Sequence, residues 1–186
     1  MTAALLGSMC GFTAEAVEFG GVVGVGYDFG GDVMASGLYE DGSEWELKAN
    51  QGPQLKVGGV MVTGLFETQL TIAYKSSGIK HGAESPITLD LVPIELMEFY
   101  RAGNFRIGLG VMYLNNPKLV IDIPTVNQNT YQFESVVGNV AEIGWVLDEE
   151  PVSFGFRYTS ASFKEKLPNA EAFKGNSVGV FVEYFF

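Results

Sequence analysis

The stretch "KSSGIKHGAES" gathers the only histidine of the chain, His81, with Ser76, Ser77, Ser85 and Glu84. A hydroxyl, an imidazole and a carboxylate are the parts of a nucleophilic acyl-transfer site when the base reaches the hydroxyl and the acid orients it. Here Gly78 and Gly82 flank the histidine, so the spacing predicts a loop rather than a rigid site, and His81 reads as solvated. A second set is acidic: Asp28, Asp32, Glu40, Asp41 and Glu44 could attract Ca²⁺ or Mg²⁺. With Asp41-Gly42 as a turn signal, the same run reads as a solvated hairpin tip. "GVVGVG", Gly21 to Gly26, lacks the lysine and following helix of a phosphate loop and reads as a glycine-rich strand. Neither a metal site nor a cofactor site is expected.

The elements that carry these residues are strands. The chain has 186 residues, a formal charge of −11, 24 glycines and 13% aromatics. The acidic balance excludes a phosphate-gripping nucleic-acid surface, which needs Lys and Arg. No apolar run is long enough for a membrane-spanning helix. "MTAALLGSMCGFTAEA" resembles a secretory leader over 1–16, with a short apolar run and the Ala14-Glu15-Ala16 cleavage signal but no basic start. Cleavage there would remove Cys10, the only cysteine. The domain proper is then expected over 17–186.

Eight alternating segments follow: Phe19–Phe29, Glu44–Met61, Phe66–Lys75, Leu91–Arg101, Phe105–Tyr113, Phe133–Leu147, Val152–Thr159 and Val178–Phe186. In the fourth, Pro93 or Glu98 interrupts the alternation and predicts a bulge. Connections alternate between short turns and long loops, the latter including "SSGIKHGAESPITLD" and "NNPKLVIDIPTVNQNT". Strands of this length, even in number and joined this way, predict an all-β, eight-stranded antiparallel up-and-down barrel that crosses a membrane.

Alternation alone does not say which face meets water. Aromatic spacing does. Phe19 and Tyr27, Phe66 and Tyr74, and Phe105 and Tyr113 are each eight residues apart on one face. At ~3.3 Å per residue and a ~40° tilt, that is about 20 Å, near the ~25 Å apolar band between two aromatic girdles. Trp145, Tyr184 and Phe186 complete the girdle at the short-turn end. The opposite face then lines the lumen, with Glu67, Glu95, Glu142 and Glu183 against Arg106, Arg157, Lys56 and Arg101. Buried charges persist when paired and hydrogen-bonded, and inward glycines leave room for them. A salt-bridged polar plug is expected in preference to an open pore, with Glu183 meeting Arg106 or Arg157.

The last nine residues, "VGVFVEYFF", place Val178, Val180, Val182, Tyr184 and Phe186 on one face and end on phenylalanine. This resembles the C-terminal signature of Gram-negative outer-membrane barrels. The whole mature chain resembles the small eight-stranded class that includes the OmpW, OmpX and OmpA-type barrels. "GYDFGGD" and "ELMEFYRAGNFRIGLGVMY" resemble a group of proteobacterial outer-membrane proteins. The resemblance implies residence in the outer membrane beside lipopolysaccharide and recognition of the last strand by the barrel-assembly machinery; the acidic balance already argues against a nucleic-acid partner. A monomer is expected. The expected role is structural, or a narrow passive path for small solutes, and not enzymatic. Two alternatives stay open: a soluble lipocalin-like carrier whose apolar face encloses a ligand, and a lipid-modifying outer-membrane enzyme built on His81.

Overall fold

The computed structural model describes residues 17–38, 41–81, 85–121 and 129–186. Residues 1–16, where a leader is expected, lie outside the described residues. Among the described residues fifteen strands follow in order: β1 (Val17–Gly30), β2 (Val33–Leu38), β3 (Glu44–Lys48), β4 (Gly52–Thr63), β5 (Phe66–His81), β6 (Ser85–Leu91), β7 (Pro93–Ala102), β8 (Phe105–Leu114), β9 (Lys118–Ile121), β10 (Asn129–Gln132), β11 (Val136–Val146), β12 (Val152–Ser160), β13 (Ser162–Lys164), β14 (Ala172–Lys174) and β15 (Ser177–Phe185). Eight of them, β1, β4, β5, β7, β8, β11, β12 and β15, pair antiparallel in a closed ring.

The register defines the barrel. A walk around the ring from Phe19 passes Met61, Thr68, Glu98, Leu109, Ala141, Tyr158 and Val178 and returns to β1 at Phe29, ten residues farther along. A stagger of that size on eight strands tilts them by about 40° and leaves an interior that side chains fill. Two hairpins at one end are tight. Gly64 and Gly103 open their two-residue loops with φ of 57° and 61°, a conformation that glycine adopts without strain.

The long connections are folded rather than loose. The upper part of β5 continues past the barrel rim and pairs with β6, which pairs with β9, which pairs with β10. "SSGIKH" is therefore strand, and the backbone of His81 pairs with that of Ser85, not in a loop as its flanking glycines predict. The sequence segment 44–61 is two strands, separated by a turn at Asn50 (φ 60°) and Gly52 (φ 128°). That turn changes which face is covered: Leu47 and Ala49 are buried, while Leu55 and Val57 are exposed. Segment four likewise divides at Val92, with Pro93 as the first residue of β7, where its missing N–H is tolerated. The predicted bulge at Pro93 or Glu98 is absent, because β7 keeps an unbroken register with both neighbours. Phe133 precedes β11 in an isolated bridge to Glu165 and is buried, not on an outward row.

Candidate functional site

In every stave the odd–even alternation divides the same way. The outward rows are largely apolar and exposed, as in Ile107, Leu109 and Val111 of β8, and the inward rows hold the buried charges, with Met97, Phe99, Met112 and Phe181 among them. A soluble carrier has the opposite sense, so this arrangement removes the lipocalin-like alternative.

The inward charges form one connected series along the barrel. Nearest the tight turns, Arg106 is fully buried and donates to Glu67 at 2.7 Å and to Glu183. Its guanidinium lies 4.3 Å from the centroid of Phe99, with Phe181 and Phe185 at 5.6 and 5.4 Å, an aromatic cage that favours a cation. Arg101 reaches the other oxygen of Glu67 at 3.4 Å from the rim, where its side chain is about one-third exposed. Above this layer Lys56 pairs with Glu183 and stands 3.6 Å from Glu142. Arg157 then donates to Glu142 at 3.0 Å and grips Glu95 with both terminal nitrogens at 2.5 and 3.1 Å.

At the upper end Arg157 Nε is 3.9 Å from Asp28, which pairs with Lys75. Lys75 donates to Asn50 Oδ1 at 2.8 Å and to its carbonyl at 3.3 Å. Asn50 in turn donates to the Gly175 carbonyl at 3.1 Å and to Ser177 Oγ at 2.9 Å. Among the described residues, Asp28, Glu67, Glu95, Glu142 and Glu183 thus face Lys56, Lys75, Arg106 and Arg157 inside the wall, and Arg101 supplies the fifth cation at the rim. Such mutual compensation is what lets ionised groups persist away from water. Gly24 makes one crossing possible: a Cβ there would lie 3.0 Å from Glu183 and 3.1 Å from Lys56.

The charged series ends under an apolar cap. Leu47, Ala49, Ile87, Leu89, Leu91, Leu114, Leu119, Phe133, Val136 and Phe163 pack into one cluster over the upper lumen, with Trp45 and Phe173 against it. Phe133 meets Phe163 and Phe173 edge-on at 6.3 and 6.4 Å. At the opposite mouth a pocket of about 340 Å³ is lined by Glu18, Val60, Val62, Glu67, Arg101 and Phe185.

The outer surface carries aromatics at both ends of the band. Phe66 packs on Tyr100 at 5.9 Å, Phe105 on Trp145 at 5.7 Å, Trp145 on Phe154 at 6.1 Å and Tyr184 on Phe186 at 6.5 Å, around the short-turn end. Tyr27, Tyr74 and Tyr113 stand toward the other end, and Tyr158 joins them. Phe19 is exposed beside the short-turn girdle.

Of the residues the sequence singled out, Glu67, Glu95, Arg106, Glu142, Arg157 and Glu183 all lie in the lumen, and Glu183 meets Arg106 and Lys56 rather than Arg157. Sequence reasoning missed Asp28, Lys75 and Asn50 as parts of the series. The inward parity of Asp28 on β1 and Lys75 on β5 was the signal that could have found them. The acidic run does not converge. Asp28 is buried in the lumen, Asp32 accepts from the Lys174 amide at 2.7 Å, Asp41 accepts from its neighbour Ser43, and Glu40 lies outside the described residues. The Ser43 hydroxyl and amide hold the Asp41 carboxyl below its ordinary pKa. Ser76 Oγ donates to Asp90 at 2.7 Å.

No protein-family model matches the chain, and no curated protein matches it by sequence. Solved structures do. The chain aligns with the crystal structure of Neisserial surface protein A at a TM-score of 0.58 and 9% identity, over 92% of this chain and 100% of that one. It also aligns with the N-terminal β-barrel domain of Pseudomonas aeruginosa OprF at a TM-score of 0.40 and 11% identity, over 89% and 97% of the two chains. The first likeness is one of fold: the chain folds as an eight-stranded barrel of the outer-membrane type.

Proposed function

We propose that this protein resides in a Gram-negative outer membrane as a closed barrel, with a structural role and a lumen that serves as a polar core rather than a channel. The observation that carries this reading is the filling of the interior. Every lumen charge from Glu67 to Asp28 is at most 2% exposed, and an apolar cluster covers the upper end. The outward apolar rows support lipid as the surrounding medium, since a soluble surface does not present contiguous Val, Leu and Phe on every strand. The lipid-facing row Val178, Val180, Val182, Tyr184 and Phe186 supports recognition of the last strand by an assembly machinery.

A second reading, a narrow passive path for small solutes, is favoured by the mouth pocket, which opens beside the partly exposed Arg101 and has the buried Glu67 in its lining. Two measurements test the pair. Heat-modifiable migration on a detergent gel, with recovery in outer-membrane fractions, is expected; a soluble protein whose migration ignores heating would remove both readings. Liposome swelling is then expected to show no solute entry above empty liposomes, and measurable entry would replace the closed reading with the conducting one.

A further inference from the structure

Glu98 breaks the alternation of its strand, and the structure shows no bulge to turn it aside. Its register is continuous on both flanks, opposite Thr68 on β5 and Leu109 on β8. Its side chain therefore stands on the outer wall, among the exposed Leu70, Leu96, Tyr100, Ile107 and Leu109. Among the described residues it is the only charged side chain on the outward rows between the two girdles. It lies one outward position from the girdle residue Tyr100, about 5 Å toward the membrane interior on tilted strands. Thr68 Oγ1 donates to Glu98 Oε2 at 2.6 Å, so the carboxylate is oriented rather than free on the surface.

A carboxylate accepts up to about four hydrogen bonds, and Thr68 supplies one. An isolated charge facing hydrocarbon is costly and marks function or a partner. A partner that brings a cation about 5 Å inside the short-turn girdle would compensate the carboxylate. A second copy of this chain has none to offer, because its described outward rows between the girdles carry no Lys, Arg or His. A twofold contact there would set carboxylate against carboxylate. An anionic headgroup would be repelled. A primary ammonium suits the site in charge and in donors, and its acyl chains would lie along the apolar wall of β5, β7 and β8.

We propose that Glu98 and Thr68 form a docking site for the ammonium headgroup of an ethanolamine phospholipid in the leaflet at the short-turn end. The site rests on the membrane reading of the barrel. It is tested in vesicles of equal parts phosphatidylethanolamine, phosphatidylcholine and phosphatidylglycerol with identical acyl chains. The inserted protein is extracted in mild detergent, and the lipids it retains are counted by native mass spectrometry. The wild type is expected to retain the ethanolamine lipid several-fold above the other two. Glu98→Gln is expected to lower it to the choline level, and Thr68→Val to lower it in part. Equal retention of the three lipids by the wild type overturns the proposal without recourse to a variant. So does an ethanolamine preference that survives Glu98→Gln. A dimer that Glu98→Gln abolishes, with no lipid preference, would assign the patch to a second copy. Heat-shifted migration of each protein reports the barrel separately, so failure to insert counts against the membrane reading and not against the headgroup.

Discussion

Gly21 and Phe186 exchange both of their backbone hydrogen bonds, at 2.6 and 3.0 Å, so the last residue of the chain is locked into the first strand. The Phe186 ring also occupies the space over Gly21, where a Cβ would come within 2.5 Å of it. Closure and the terminal aromatic are one feature. A bulky side chain at Gly21 must displace the ring, and because the atoms met first are the far edge of an exposed side chain the cost falls at the low end of overpacking, about 1 kcal/mol. Gly21→Leu is expected to lower the urea midpoint of the refolded barrel in micelles accordingly. An unchanged midpoint would mean that the ring is free to move.

Phe186→Ala separates closure from recognition. The backbone pair with Gly21 does not need the ring, so refolding in micelles is expected to succeed with a heat-modifiable band. In cells, the account expects the same variant to reach the outer membrane in reduced amount. Equal surface yield of wild type and variant would remove the assembly role.

Arg106 is the cation on which the lower lumen depends. Truncation to Ala leaves Glu67 and Glu183 buried with less compensation, and breaking a buried pair costs about 3–5 kcal/mol. Equilibrium unfolding of Arg106→Ala is expected to show a loss of that order. The triple change Arg106→Met, Glu67→Gln and Glu183→Gln is expected to recover part of it, because three of the buried charges leave together while Lys56, which loses Glu183, keeps Glu142 at 3.6 Å. Loss of the same size in both variants would show that the arginine acts through packing on Phe99 alone.

The cap is predicted to be a separate layer of stability. Phe163→Ala empties a fully buried site beside Phe133 and is expected to cost about 3–5 kcal/mol locally. Hydrogen exchange should quicken in β6, β9 and β13 while β8 and β15 stay protected. Uniform acceleration through all strands would join the cap to the barrel as one cooperative unit.

The eight staves were legible because period-two alternation is dense in them and the aromatic pairs set their ends. The lumen charges were legible for the same reason: a residue such as Arg106 or Glu183, between apolar neighbours on a strand, has to point inward. The cap was not legible. Ile87, Leu89 and Leu91 alternate as cleanly as any stave, but they sit between Gly82 and Pro93 in a stretch whose length suits a loop. Their pairing with β5 and β9 depends on contacts distant in sequence. Asn50 was hidden for another reason. Its positive φ reverses the covered face within one apparent strand, and alternation read across that point runs smoothly from Leu47 to Leu55. Glu98 was visible as an irregularity, but only the register shows that it is a lipid-facing side chain and not a bulge.

The central claim is the sense of the wall: apolar rows to lipid, charges inside. Spin labels placed singly on β8 of the vesicle-inserted protein test it most directly, at Ile107, Leu109 and Val111 and at the inward Met112. The account predicts that labels at 107, 109 and 111 collide strongly with dissolved oxygen and hardly at all with a water-soluble nickel complex, several-fold apart, while a label at 112 is shielded from both. Nickel collisions at 107, 109 and 111 equal to those of a label on an exposed turn would contradict it.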